Sequence, residues 1–411
     1  MSEVLLLLVL LMAAYFGSLL VEGRAIRGFG LPSGAEWLIL GVILGPHALG
    51  MFQSAMIRDL EPLVVVGLGW TALVVGIDYG YVGERRISWR GLFLGLLLSA
   101  LCGAAVGAAA YYYCTLRLGF DANEALISAL AMALVCSETT RQAVRWINER
   151  QGAKGPLSDI LAEISDADDA LPLIGLAVLI AIGTTPSLNV ELALGWRLGG
   201  TAVLGAVLGL IAAALLARSL AFGESWAVLI GVALLGIGIS MRLGAAALTV
   251  LFVAGAVISL VSHRHAELRK LLAPTERPVM LPLLVLGGAT LNPEALSPEM
   301  IGLLGVVLGA RVVAKVGSGW LIALFVPAAR TSPTITGGAL LASGTLAMSI
   351  GLYAYVSLEG RHGEAALLAA SVATVFGELF GPSALRRALF RAGEVDRNES
   401  PPAPAMTEDP T

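Results

Sequence analysis

Apolar stretches long enough to cross a membrane recur along the whole chain, and they restrict its fold more than any other feature. A helix needs about 20 apolar residues to span a hydrocarbon core roughly 30 Å thick. We count about thirteen such stretches, at residues 3–21, 35–51, 62–80, 90–115, 124–146, 157–183, 196–217, 226–241, 243–262, 278–292, 299–326, 334–357 and 364–389. Since lipid offers no water to backbone polar groups, the sequence predicts an all-α polytopic membrane protein with about 13 transmembrane helices.

The composition excludes an ordinary soluble domain. Of the 411 residues, 57% are hydrophobic and only 14% are charged, and the mean hydropathy is +0.84, well above the balance of soluble proteins. Cys102, Cys114 and Cys136 are odd in number and lie inside apolar stretches, which argues against a disulfide framework or a zinc site. No basic patch with interleaved aromatic residues occurs, so we expect no nucleic-acid partner. No motif indicates a cofactor.

Lys and Arg residues are concentrated in alternate loops, and basic loops stay on the cytoplasmic side of a membrane. The opposite set of loops has only Arg58, Arg117, Arg197, Arg242 and Arg361. With an odd helix count, this predicts an inner (cell) membrane protein with its N-terminus outside and its C-terminus in the cytoplasm. The acidic start MSEV lacks the features of a signal peptide, so we expect a retained first helix. The Pro-rich, acidic residues 391–411 predict a disordered cytoplasmic tail.

Weak internal similarity relates the two halves of the chain. The stretch at 62–80 ends VVGIDYG and that at 278–292 ends LGGATLN, while polar residues interrupt those at 124–146 (CSETT) and 334–357 (ASGTLAMS). Six stretches, one linking stretch and six more would give the two halves opposite orientation. In secondary transporters, paired discontinuous helices in such repeats mark the substrate site. The sequence therefore predicts two inverted six-helix repeats with crossing discontinuous helices.

Four carboxylates lie in the otherwise apolar stretch at 157–183, namely Glu163, Asp166, Asp168 and Asp169. An ionisable side chain deep in a membrane is expensive, so each one needs a partner or a function. Neighbouring residues diverge by about 100° around a helix, so Asp168 and Asp169 cannot both serve one partner. We therefore expect one aspartate to bind an ion while the other pairs with a base. The alternative is that the helix starts later and these acids lie in a loop.

Two basic residues, Arg311 and Lys315, lie one helical turn apart in the middle of the stretch at 299–326. Buried cations need counter-ions, and the comparably deep acids are those of the stretch at 157–183. The simplest pairing joins Asp168 to Lys315, with Arg311 as the rival base. The alternative is that both side chains extend to the membrane surface.

Polar residues interrupt two further stretches at the predicted helix breaks. The first break supplies hydroxyl and carboxylate oxygens from Ser137, Glu138 and Thr139, which suit a cation and compensate exposed helix ends. Glu138 could instead be neutralised by Arg141 or by a proton, and the hydroxyls could bond within an intact helix. The second break offers Ser343 and Thr345 as accessory oxygens but no charge.

Motifs spread along the chain resemble those of one known family, the monovalent cation:proton antiporter superfamily in its paired-aspartate branch. A Gly-Pro helix ending, a polar crossing, a paired-aspartate helix, a buried-lysine helix and a last-helix ending occur in that order. They read LILGVILGPHALGM, SETT, ISDADDALPLIG, ARVVAKVG and GELFGPSALRRAL. Glu138 departs from the family's aspartate and lacks the following proline. Asp166 is an extra acid, and Arg311 is an extra base near the lysine.

The resemblance implies a homodimer of thirteen-helix subunits that works by alternating access. It implies a dimerisation part at about 1–82 and 220–295 and an ion-transport core at about 90–184 and 299–390, within a transporter domain at 1–390. Carried over to this chain, Asp169 would bind the ion or proton and would be a Na+ ligand. Asp168 would pair with Lys315, and the crossing would be formed by Ser137, Glu138 and Thr139. Asp166 and Glu163 remain accessory candidates.

The expected function is secondary active exchange of a monovalent cation, Na+ or else Li+ or K+, for protons. A buried carboxylate suits this exchange because a cation and a proton compete for it. One alternative is an intramembrane aspartyl hydrolase, whose two acids should come from separate, facing helices. Another is a passive cation channel, which needs no acid–base pair. The sequence therefore favours a transporter rather than an enzyme.

Overall fold

A computed structural model describes residues 34–82, 85–184, 194–217, 222–262, 264–358 and 360–395. Most of these residues lie in α-helices. One antiparallel pair of two-residue strands, β1 (Tyr81–Val82) and β2 (Arg85–Arg86), follows the predicted stretch 62–80. The predicted first stretch, 3–21, and residues 396–411 of the predicted tail lie outside the described part of the chain. The prediction of an all-α polytopic protein is confirmed.

The described helices follow the predicted order. The first half contains α1 (Ala35–Leu44), α2 (Ser54–Asp59), α3 (Glu61–Asp78), α4 (Trp89–Arg117), α5 (Ala122–Ser137), α6 (Arg141–Gln151), α7 (Pro156–Ala167) and α8 (Ala170–Gly183). The second half contains α9 (Leu194–Leu216), α10 (Phe222–Leu243), α11 (Ala247–Val261), α12 (His265–Ala289), α13 (Pro298–Phe325), α14 (Pro333–Gly338), α15 (Thr345–Ser357) and α16 (Arg361–Ala392). Short 3-10 turns occupy Pro293–Ala295, Pro327–Thr331 and Ala339–Leu341.

Six described helices are each long and apolar enough to cross a membrane: α3, α4, α9, α10, α13 and α16. A seventh crossing results if α14, its following 3-10 turn and α15 are taken together, with a bend of 49°. The predicted stretches 124–146 and 157–183 are each divided into two shorter helices. A count that requires one long helix per crossing therefore leaves out these two stretches. Each predicted stretch from 35–51 onward contains a described helix.

Several long helices begin at side chains that bind their free amide groups. Ser88 accepts a hydrogen bond from Gly91 N at the start of α4, at 3.1 Å. Asp121 accepts from Glu124 N at the start of α5, at 2.8 Å, and Ser297 accepts from Met300 N at the start of α13, at 3.2 Å. Such N-caps satisfy amides that have no partner within the helix. The sequence thus sets where these helices begin.

Glycines allow helix pairs to approach closely. A Cβ on Gly76 of α3 would lie 2.2 Å from Phe252 O of α11, and one on Gly255 would lie 2.4 Å from Leu73 O. Without a strong hydrophobic drive between helices in lipid, such small residues stabilise packing through van der Waals contact. These contacts fix α3 against α11, which positions the Asp78 end of α3 beside the functional residues described below.

Helix α12 is longer than the sequence indicated. The prediction that Arg269, Lys270 and Arg277 lie in a loop before a stretch at 278–292 is wrong, since one helix runs from His265 to Ala289. Prolines at 274, 278 and 282 lie inside it, and their spacing of four places the missing amide donors on one face. Charged residues of α12, such as Glu276, therefore lie on a continuous helix and contact α6.

Candidate functional site

The two predicted helix breaks occur and contact each other. Helix α5 ends at Ser137 and α6 begins at Arg141, while residues 342–344 separate the 3-10 turn at Ala339–Leu341 from α15. Thr140 N donates to Ala342 O at 3.0 Å, and Thr139 Oγ1 donates to Leu340 O at 3.2 Å. The chain therefore brings four helix ends, with their unpaired backbone groups, to one buried place. The inverted symmetry of the two repeats stays a prediction.

Glu138 binds the start of the opposite broken helix. Its Oε1 accepts hydrogen bonds from Ser343 Oγ at 3.0 Å and from Gly344 N at 2.9 Å, and Gly344 immediately precedes α15. A carboxylate is stabilised at a helix N-terminus, where the helix dipole is positive and amides are free. This partner was not among the three considered for Glu138, a proton, Arg141 and the cation. Glu138 therefore compensates an exposed helix end, as the sequence indicated for the crossing, and the structure shows that this end belongs to the opposite broken helix.

Arg311 binds the opposite ends of the broken helices. Its guanidinium donates to Cys136 O, to Glu138 O at 3.3 Å and to Leu341 O at 3.1 Å. These carbonyls close α5 and the 3-10 turn at Ala339–Leu341, where the helix dipole is negative. Arg311 is fully buried, so it does not extend to the surface. The structure gives it carbonyl partners, not the Asp168 partner expected of a rival base.

Lys315 lies one turn further along α13 and contacts Asp168. Its Nζ is 3.3 Å from Asp168 Oδ2 and donates to Ser137 O and to Thr139 Oγ1, both at 2.7 Å. Lys315 and Asp168 are both fully buried. The two residues of the simplest predicted pairing are therefore in contact. Ser137 contributes its carbonyl, because its hydroxyl donates to Leu134 O.

Asp169 lies beside this pair but is not part of it. Asp168 and Asp169 form the short turn that joins α7 to α8, and both residues keep helical backbone angles. Asp169 is 2% exposed, which excludes the surface-loop alternative. Within the described residues, no hydrogen bond or ion pair holds its carboxylate. The same part of the chain contains no cluster of three or more His, Cys, Asp or Glu with metal-binding geometry.

An ionic cluster lies between Asp169 and the basic loops. Its members are three acids and three arginines from four helices, Asp78, Asp166, Glu276, Arg141, Arg145 and Arg269. Arg141 lies 3.6 Å from Asp78, 3.9 Å from Asp166 and 3.4 Å from Glu276. Arg145 lies 2.6 Å from Asp166, and Arg269 lies 2.8 Å from Asp78. The expectation that Arg141 could neutralise Glu138 is wrong, because its partners are these acids.

Sequence reasoning missed this ionic cluster as a unit. Asp78 lies at the end of one apolar stretch, whereas Arg269 and Glu276 lie between the predicted stretches 243–262 and 278–292, so no single stretch contains the cluster. The remaining accessory candidates divide between two places. Glu163 pairs with Arg85 at 3.1 Å and accepts from Ser88 Oγ, away from the crossing. Thr345 is the first residue of α15, and Ser343 binds Glu138.

The chain is similar to known proteins in its family and in its fold. The model of the family described as sodium/hydrogen exchanger, transmembrane, matches residues 8–391. The sodium proton antiporter MjNhaP1 from Methanocaldococcus jannaschii at pH 8 has a similar structure, with a TM-score of 0.71 and 15% identity over 96% of this chain and 99% of that one. An electron-microscopy structure of the same protein gives a TM-score of 0.65 and 14% identity over 96% and 100%.

No curated protein sequence matches the chain significantly. At such low identities, the structural likeness shows the shared fold. The family model matches all but the first few and the last twenty residues of the sequence. The chain therefore belongs to the transmembrane sodium/hydrogen exchanger family.

Proposed function

We propose that this protein exchanges Na+ for protons by alternating access, with Asp169 as the carboxylate that binds the ion or the proton. Family membership supports cation/proton antiport. The observation that carries the residue assignment is the distribution of charge around the crossing. Asp168 has Lys315, Glu138 has the N-terminus of α15, and Asp166 has two arginines. Among the described residues, Asp169 is the one of these four carboxylates without a direct partner.

A buried carboxylate without a partner must be neutralised, because an isolated charge in low dielectric is strongly unfavourable. A proton neutralises Asp169 by bonding to one oxygen, and Na+ neutralises it by coordination to the carboxylate. The two ligands exclude each other, and this exclusion couples their movements. We assign backbone and hydroxyl oxygens of the crossing, including Thr139, as further ligands of the cation. Lys315 holds Asp168 ionised and releases it when the cation arrives.

We further propose the assembly and orientation that the sequence predicted. A dimerisation part at about 1–82 and 220–295 would support a mobile core at about 90–184 and 299–390 in each subunit of a homodimer. The N-terminus would lie outside and the C-terminus in the cytoplasm of a cell membrane. The lengths of α3, α4, α13 and α16 support membrane insertion, and the concentration of arginines at one end of the helices supports the orientation.

Reconstitution tests this function directly. Purified protein in liposomes with an imposed pH gradient should release protons when Na+ is added, as measured by a fluorescent pH dye. Li+ and K+ tested in turn identify the preferred cation. Cation flux without coupled proton movement would indicate a channel and would refute exchange. An aspartyl hydrolase is disfavoured because Asp168 and Asp169 are adjacent and Lys315 holds the first of them.

Replacement of Lys315 by alanine should weaken or abolish the voltage sensitivity of exchange. If Lys315 releases its proton to water when the cation arrives and takes one up again later in the cycle, a second proton moves per cation and transport moves net charge. Without this lysine, only the one-for-one exchange at Asp169 remains. Currents of proteoliposomes on a solid-supported membrane measure this effect. Lys270→Ala, an exposed lysine of α12, is the control. Unchanged currents in Lys315→Ala would show that this lysine does not take part in charge movement.

Replacement of Glu138 should reveal the helix cap. Glu138→Gln keeps an oxygen that accepts from Ser343 and Gly344, so we expect a small loss of stability. Glu138→Ala removes both bonds and should cost about 1–3 kcal/mol, since buried groups lose their partners. Thermal unfolding of the two purified variants, with the Na+ KM of each, measures the difference. Equal melting temperatures with a raised KM would assign Glu138 to the ion instead.

A further inference from the structure

The ionic cluster joins two sets of helices that the proposed mechanism must move relative to each other. Asp78 on α3 and Glu276 on α12 belong to the proposed dimerisation part, whereas Arg141 and Gln142 on α6 belong to the proposed core. Three contacts cross between them. Arg141 reaches Asp78 at 3.6 Å and Glu276 at 3.4 Å, and Gln142 Nε2 donates to Glu276 Oε1 at 2.8 Å. All three contacts run through the first turn of α6.

One end of the ionic cluster lies next to Asp169, and other members of it are more exposed. Asp166 precedes Asp169 by three residues, which is slightly less than one helical turn of about 5.4 Å. The side chains of Asp166 and Arg141 are 2% and 7% exposed, whereas those of Glu276 and Arg145 are 24% and 28% exposed. The cluster therefore extends from the dry region next to Asp169 to the aqueous end of the helices.

The charges of the ionic cluster link its separation to the entry of water. Assembled, the cluster has three acids and three arginines and is neutral. Separation along the α6 contacts would leave one excess positive charge with Arg141, Arg145 and Asp166, and one excess negative charge on the other side. Such charges are stable apart only if water reaches them. Opening the cluster would therefore also bring water to Asp169.

We propose that the ionic cluster is a gate over Asp169 and that this gate is closed in the present conformation. It separates at the α6 contacts once in each transport cycle and then admits ions from the side of the membrane that carries the basic loops. The inference rests on the proposed alternating access. It assigns to Arg141, Gln142 and Glu276 a role in access to the site, distinct from binding of the ion.

Cross-linking tests whether the gate must open. In the full-length protein carrying Gln142→Cys and Glu276→Cys, a short bis-methanethiosulfonate cross-linker, which forms a disulfide with each cysteine, should lower Na+/H+ exchange in liposomes at least tenfold. Reduction of these disulfides should restore exchange. Arg85→Cys with Asp159→Cys is the matched control, because this exposed pair, 3.4 Å apart, joins β2 to α7 outside the gate. The native cysteines are buried, and wild-type protein treated in parallel checks their reactivity.

Exchange that continues at the same rate in fully cross-linked Gln142→Cys/Glu276→Cys protein would overturn the gate. If untreated wild-type protein showed no exchange, the proposed function itself would be refuted. Failure of the gate and failure of the proposed function are therefore distinguishable. If the double variant does not fold, Glu276→Gln provides a second test with a conservative change.

Glu276→Gln should bias the gate toward its open state, because Arg141 and Gln142 lose the charge of Glu276 across the interface and only the contact of Arg141 with Asp78 remains charged. With oriented liposomes, the Na+ KM should fall on the gate side and rise on the opposite side, each by about two- to fivefold, as expected for a partly exposed ion pair. Glu267→Gln, an exposed acid on the same helix, should leave both values unchanged. Wild-type KM values on both sides of Glu276→Gln would contradict the gate.

Discussion

Replacement of Asp169 by asparagine is expected to abolish exchange, with a loss of at least about a hundredfold, while the protein stays folded. Asparagine has nearly the same shape as aspartate. Its amide neither takes up and releases a proton at the pH of transport nor carries the negative charge that balances Na+. Asp169 lacks a partner among the described residues, so its replacement breaks no ion pair. Proton release on Na+ addition to proteoliposomes measures the activity, and thermal unfolding of the purified variant measures the fold.

Asp159→Asn is the control for this experiment. Asp159 is an acid on the same membrane segment, near the start of α7, but its side chain is 60% exposed. It should therefore keep wild-type exchange. A well-folded Asp169→Asn protein that exchanges at the wild-type rate would disprove the assignment of Asp169 and shift attention to Asp168.

Replacement of Arg311 by methionine is expected to cause the largest loss of stability. The guanidinium satisfies carbonyls at the ends of both broken segments, Cys136 O, Glu138 O and Leu341 O. Methionine fills similar space but donates no hydrogen bond. The change leaves these buried acceptors unsatisfied and should lower the free energy of unfolding by about 3–5 kcal/mol, as for removal of one partner of a buried charged contact.

The melting temperature of Arg311→Met in detergent, with exchange measured on the protein that remains folded, tests this expectation. Arg330→Met is the control, because Arg330 donates to a single carbonyl, Ala323 O, from an exposed position beyond the end of α13. A melting temperature of Arg311→Met equal to that of the wild type would show that the crossing does not depend on this guanidinium.

Many residues of the site were predictable because a charged residue stands out in the sequence of an apolar membrane segment. Asp168, Asp169, Arg311 and Lys315 were recognised from the sequence since each interrupts a long apolar run, where an ionisable group needs a partner or a function. The helix breaks were visible for a similar reason, because hydroxyls and a carboxylate interrupt two further apolar runs. The contact of Lys315 with Asp168 followed from the scarcity of other deep acids.

Partners within the site were less predictable. The sequence offered Arg311 as a rival base for Asp168, but its guanidinium binds backbone carbonyls. Because every residue has a carbonyl, these partners cannot be identified from the sequence. Glu138 was weighed against a proton, a cation and Arg141, yet it binds the amide of Gly344, 206 residues away. The ionic cluster was not predictable as a unit because Glu276 lies in the polar segment between the predicted stretches 243–262 and 278–292.

The sequence by itself determined which segments enter the membrane, where two of them break and which charges become buried. These properties depend on local composition, because transfer to lipid acts on each segment separately. Only the tertiary structure decided which buried charges meet. Electrostatic interaction falls with distance in space, regardless of distance along the chain. Gln142 and Glu276, 134 residues apart, therefore become partners only when α6 packs beside α12.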